Sequence, residues 1–322
     1  MGGAIATVLL LASACGDDAA ETTTTTTLAA PWTEVTAPPM PAPTLSAAYD
    51  GPRTIGTICV DVSLDGFGDS RVALDELDWT LDTVGIDQVS EGCDVRLVID
   101  VSGSRTPGTY DSPAGGTKTC WNGFRVAGAI RLVSDTGGTA GTWSATASEP
   151  VPSTISWPAG CHDDANDPLG NRYWVGPLSR ALAEAFGPPA AIAAFARYGE
   201  TSPLDPEVAA AVLHRPEGAP ALAAALHHPD LQQAALDEVI GWLNLLLDQD
   251  LPYPDELWGL IPHLIAYGAS QGFGLFDGGV NLALSELFYR QRTVDRPYPA
   301  GFDWKDPADW WALWEQRPTP EA

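Results

Sequence analysis

Residues 219–247, "APALAAALHHPDLQQAALDEVIGWLNLLL", decide the fold of the second half of the chain. Leu231, Ala235, Val239, Trp242, Leu243 and Leu246 recur at three- and four-residue spacing, which places them on one face of a helix. Pro229 and Asp230 interrupt the pattern, and a shorter apolar helix precedes them, so the stretch reads as two helices joined by a tight turn. Outward from it the same grammar continues. "DPEVAAAVLH" (205–214), "PDELWGLIPHLIAY" (254–267) and "GGVNLALSELFYRQ" (278–291) are helical segments punctuated by Pro and Gly. Strand signals stop near residue 201, and an all-α helical-hairpin domain is expected over 201–322.

Upstream the pattern changes. "TIGTICVDVSL" (54–64), "CDVRLVIDVSG" (93–103), "FRVAGAIRLVSD" (124–135) and "GTWSATASE" (141–149) are β-branched runs bounded by turn residues. Between the first two, Val72, Leu74, Leu77, Leu81 and Val84 approximate helical spacing, with Ser70 as the expected N-cap. A further helix is expected over "RYWVGPLSRALAEAF" (172–186). Strand, helix, strand and hairpin in that order predict an N-terminal α/β sandwich domain over 53–200, a mixed sheet with helices on a face; the whole chain is α+β.

Of 322 residues, 16 are basic and 42 acidic, a formal net charge of −26, and lysine occurs only at Lys118 and Lys305. Such a chain is repelled by phosphate backbones and anionic headgroups, so no nucleic acid is expected as a partner.

The first 14 residues carry a short apolar run, too brief for a span of about 20 residues but sized for the core of a signal peptide. From Cys15 to residue 52 the chain is rich in Thr, Ala and Pro, with no apolar periodicity, and reads as a disordered tether. The stretch Leu11, Ala12, Ser13, Ala14, Cys15, Gly16 resembles the lipobox of bacterial lipoproteins. That resemblance implies cleavage before Cys15, lipid attachment through its sulfur, and a bilayer as one partner. The other cysteines, Cys59, Cys93, Cys120 and Cys161, fall in one contiguous region, as in a disulfide-bearing domain folded outside the cytoplasm. Four cysteines permit three pairings; Cys59 with Cys93 and Cys120 with Cys161 is favoured because the two loops are of comparable length.

The quoted helix pair resembles a HEAT repeat, with Asp230 at the turn and Ala234 and Ala235 at the packing seam. "GFDWKDPADWWALWEQ" (301–316) resembles the Trp-rich closing helix that follows bacterial HEAT arrays.

Asp61, Ser63, Asp65, Gly66 and Asp69 have the spacing of early calcium-loop ligands, but Val72 stands where a bidentate Glu belongs, and a strand end explains them. His162, Asp163, Asp164 and Asp167 read as an acidic loop. His214, His227 and His228 lack the spacing that would complete a metal site and read as helix-end residues. "GASQG" (268–272) satisfies G-x-S-x-G, yet no histidine follows Ser270, so it reads as a helix-to-helix connection and not a nucleophile elbow. No metal, no cofactor and no catalytic residue is therefore expected. Trp310, Trp311 and Trp314 are the candidate interaction residues. The expected function is a membrane-anchored extracytoplasmic lipoprotein that binds an unknown envelope protein without catalysis. The alternative is a glycan-binding or glycan-hydrolysing protein using Trp and carboxylate side chains.

Overall fold

The computed structural model describes residues 29–45, 54–111, 115–134, 138–150, 170–199, 206–248, 255–273, 279–291 and 298–316. Cys15, Cys161 and the loop bearing His162, Asp163, Asp164 and Asp167 lie outside them.

Six strands form one mixed sheet: β1 (Thr57–Asp65), β2 (Asp87–Gln88), β3 (Val95–Asp111), β4 (Thr117–Ser134), β5 (Thr139–Ser144) and β6 (Ala147–Pro150). Their order is β2-β1-β3-β4-β5, with β6 also on β4. Helix α1 (Arg71–Thr83) is the crossover that makes β2 parallel to β1, and β3 runs parallel to β1 on its other side. The hairpin β3–β4 is antiparallel, as is β4–β5.

Register sorts the side chains by face. Ile58 lies opposite Val95, Val60 opposite Leu97 and Val62 opposite Ile99, and Leu97 and Ile99 in turn face Leu132 and Ile130. On the reverse face the register sets charges side by side: Arg96 meets Asp61 at 2.8 Å and Arg131 meets Asp100 at 3.6 Å. Two-residue alternation thus yields one apolar face for helices and one solvated face. A disulfide joins Cys59 on β1 to Cys93 just before β3. Cys120 on β4 is buried and also disulfide-bonded.

The sequence pattern and the strands differ in two places. β4 begins at Thr117, before the apolar run, because its first residues pair along β3 as far as Asp111. The run 141–149 is split, since β5 pairs with Ala129–Val133 and β6 with Gly123–Val126, with Ala145 buried between.

At the end of β1 the chain turns at Gly66, where φ is +77° and a Cβ would collide with the Gly103 carbonyl of β3. Both constraints demand glycine. Gly66→Ala is expected to cost about 2 kcal/mol by urea denaturation, whereas alanine at Gly170, with open space around it, leaves the midpoint unchanged.

Eight further helices are present among the described residues: α2 (Arg172–Phe186), α3 (Pro188–Tyr198), α4 (Pro206–Leu213), α5 (Gly218–Leu226), α6 (Gln232–Asp248), α7 (Ile261–Gln271), α8 (Val280–Gln291) and α9 (Pro307–Glu315). A 3-10 turn, Asp255–Leu260, runs into α7. The stripe Leu231, Ala235, Val239, Trp242, Leu243 and Leu246 is buried along its length. At the N-terminus of α1, Ser70 occupies the cap position without capping; its hydroxyl lies 3.1 Å from Asn171 Oδ1. Asn171 in turn accepts from Trp174 Nε1 and donates to the Asp69 carbonyl, fastening the start of α2 to the β1–α1 loop.

Most buried residues from Ile55 to Leu313 form one continuous apolar cluster, with Ala183, Ala191, Ala209 and Val212 as a small second one. Helix α3 is its crossing point. Its alanines 190, 191, 193 and 194 are buried and permit close approach of α2, α5 and α6, while its C-terminal end clamps α1. There Tyr198 donates to the Ala73 carbonyl at 2.8 Å, and Arg197 stacks over Trp79 while pairing with Glu76. The expected division at residue 200 thus falls just behind a helix that both sides use.

Residues 29–45 correct the reading of a tether reaching to residue 52. They carry a 3-10 turn, Pro31–Glu34, that contacts α7. Trp32, Met40 and Leu45 pack on the core, Pro43 is buried, and Thr44 bridges Thr54 beside β1. Proline-rich chain has less backbone entropy to lose, so a few isolated apolar anchors suffice to hold it. Those anchors have no period, which is why the pattern does not reveal them.

Candidate functional site

Two features of the helical side gather chemistry-bearing residues: a polar seam between α5, α6 and α7, and an aromatic closure around α9.

The seam begins at His227, the C-cap of α5. Its Nε2 lies 2.9 Å from Nδ1 of His263, in the first turn of α7. The ring centres are 5.2 Å apart and the planes nearly perpendicular. Each nitrogen stands roughly 1.1 Å from its own ring centre, so the two nitrogens lie almost on the line between centres, the geometry of a head-on N–H···N hydrogen bond. One turn further along α7, Tyr267 donates to Gln233 Oε1 at 3.3 Å, and Gln233 donates to Asp237 Oδ1 at 2.9 Å. The i, i+4 spacing of His263 with Tyr267, and of Gln233 with Asp237, is what faces these groups to one another.

Burial governs the electrostatics. It lowers the proton affinity of His227, and burial followed by the charge of His227 brings His263 down to about 4. It raises Asp237, and it raises Tyr267, with the Asp237 charge adding to the effect. Next along α6, Glu238 is 7% exposed and is pushed up to about 7, by burial first and by Asp237 second.

The other flagged histidines go elsewhere. His228 Nδ1 accepts from the Asp230 amide and closes the α5–α6 turn, and His214 meets the edge of Trp242. Among the described residues no group of three His, Cys, Asp or Glu could hold a metal ion. In the calcium-like stretch, Asp61 is paired with Arg96 and Asp69 with Arg71; the Arg71 hydrogen bond holds Asp69 down to about 2. Residues 268–271 are the last turn of α7, with Gly272 as C-cap at φ +98°, where the sequence suggested an interhelical connection. Ser270 Oγ donates to the Tyr267 carbonyl at 2.8 Å.

The aromatic closure has Trp310 at its centre, fully buried. Phe302 lies 4.9 Å from it, Trp304 5.4 Å and Phe288 5.9 Å, and its Nε1 donates to the Trp304 carbonyl. Trp310, expected as an interaction residue, instead faces inward from α9 and anchors that helix. Trp311 is partly buried and donates to Glu315, and Trp314 packs on Trp258. Among the described residues the large aromatic that remains exposed is Trp304, at 36%. Carboxylates beside it are committed to backbone: Asp309 accepts from the Asp303 amide, Asp303 from Lys305, and Asp306 from Ala308 as the α9 N-cap.

His263 is the seam residue that sequence reasoning missed. Its partner is 36 positions away, and its spacing to Tyr267 is the sole local signal. Comparison with protein-family models and with curated proteins finds no match for the chain.

Proposed function

We propose that the protein is a lipid-anchored extracytoplasmic protein-interaction module, held to a membrane through Cys15, with a HEAT-like helical side as its binding surface. The observation that carries the anchor is cysteine usage. Cys59 and Cys93 are joined and Cys120 is in a disulfide, so two disulfides account for four of the five cysteines and one is left over. The lipobox-like residues before Cys15 make it the one set apart. No helix among the described residues is long and apolar enough to cross a membrane, and a lipid on Cys15 supplies attachment without one. Support for binding over catalysis comes from how the catalytic candidates are employed: Ser270 closes a helix turn, and Asp303, Asp306 and Asp309 close turns and a cap.

Cys15→Ser is expected to abolish acyl labelling and release the protein from membranes or leave it unprocessed; retention with unchanged labelling refutes the anchor. Crosslinking in the native membrane from α6 to α9 is expected to capture one stoichiometric envelope partner, lost when that surface is substituted. Purified protein that binds or cleaves cell-wall glycan with no protein partner overturns the reading.

A further inference from the structure

We propose that His227 and His263 form an acid-released latch that fastens α7 to the end of α5. The argument is geometric. The facing nitrogens are 2.9 Å apart and nearly collinear with the ring centres, so a single proton between them completes the bond. The bond survives uptake of one further proton on a distal nitrogen, because one facing nitrogen still accepts. When both rings are protonated, neither facing nitrogen can accept, and two like charges stand within hydrogen-bonding distance of each other.

The surroundings offer little to compensate. Helix α5 itself carries no titratable side chain. The α5–α6 turn carries His228 and Asp230, α6 carries Asp237, Glu238 and Asp248, the 3-10 turn before α7 carries Asp255 and Glu256, and α7 carries Tyr267. Beyond them are Glu286, Tyr289 and Arg290 on α8, Asp309 and Glu315 on α9, and Glu34 on the N-terminal 3-10 turn. The charge acting on His263 is that of His227, and burial alone acts on His227; both oppose protonation. A histidine that resists protonation when folded draws stability from high pH and loses it as pH falls from its unfolded value, about 6.5, through its folded value.

What the latch controls follows from the contacts of α7. That helix and the 3-10 turn leading into it both pack on α5, with the histidine pair as the polar fastening at its end, and α7 also carries the 3-10 turn Pro31–Glu34, α8 and α9. Release of the pair removes that polar fastening and leaves α7, with the 3-10 turn Pro31–Glu34 and the aromatic closure it carries, held to α5 by apolar packing alone, while the sheet keeps its own bonds.

The test is amide hydrogen exchange on the full chain between neutral pH and about pH 4, corrected for intrinsic rates, with wild type, His263→Gln, His227→Gln and, as a control, His228→Ala. Wild type and the control are expected to show exchange across 261–273 and 29–35 rising at least about tenfold more than across β3 and β4. Either Gln variant is expected to remove that excess. Equal acid response in seam and sheet, or an unchanged excess in a folded Gln variant, overturns the latch. Should both Gln variants fail to fold, imidazole 15N NMR of the wild type decides. One N–H···N coupling and two titration steps well apart uphold it; two independent titrations near about pH 6.5 overturn it.

Discussion

Trp310→Ala is expected to destabilise the protein by about 4 kcal/mol, the usual cost of deleting a large aromatic from a packed core. Trp310 is fully buried between Phe288 on α8 and the segment carrying Tyr298, Phe302 and Trp304. Its removal opens a cavity and also strands the Trp304 carbonyl, which accepts from its indole. Collapse into the space is resisted because the neighbours are rigid rings, Phe288 stacked on it and Tyr298, Phe302 and Trp304 set edge to face. Urea denaturation followed by far-UV circular dichroism measures the loss. Trp304→Ala, at the rim of the same cluster, is expected to cost less than about 1.5 kcal/mol, and the contrast separates an anchor from an ornament of the surface. Equal small losses at both positions would show that α9 does not belong to the core.

The second large effect has the opposite sign. Glu238→Gln is expected to stabilise the protein by about 3 kcal/mol at pH values above 7 and to change little near about pH 4. Glu238 is pushed up to about 7 from an ordinary carboxyl value of 4.5. A raised carboxyl contributes fully below its unfolded pKa, and its contribution is lost as pH rises through the folded one, so above that point the wild type holds an unfavourable buried charge. The glutamine has no charge to bury. His263 pulls the other way: brought down to about 4, it lowers stability as pH falls from about 6.5. Over the window between, the two slopes offset each other in wild type. Relative to wild type, Glu238→Gln is therefore expected to gain stability as pH rises through this window, and His263→Gln to gain stability as pH falls through it.

How far the sequence discloses this molecule depends on the range of the interaction. Period-two and period-3.6 patterns report each element's own buried face, so β1, β3, α1, α2 and the stripe on α6 are readable from residues a few positions apart. Lone anchors are not. Trp32 and Pro43 sit in a stretch whose composition resembles a tether, and only the surface they meet makes them structural. Trp310, Trp311 and Trp314 look alike in the sequence; which of them turns inward is set by Phe288 on another helix and by Phe302 in the segment ahead of α9, neither of which the local spacing ties to Trp310. His227 was visible as a helix-end histidine, but its role depends on His263, and no local pattern ties two residues in separate helices. The cysteines are the reverse case, since their even number within one region is a long-range fact that counting alone recovers.

Helix α3 bears on the order in which the chain matures. It follows the sheet and α2 in the sequence, and its Tyr198 and Arg197 clamp α1, which is made before it. Its alanine-lined flank, however, is closed by α5 and α6, which come later. A nascent chain ending near residue 200 therefore shows an apolar strip, and closure waits until residue 248 has been made. Melting of the finished protein is correspondingly expected as one transition, and a cut behind α3 yields two fragments that each need the other to fold.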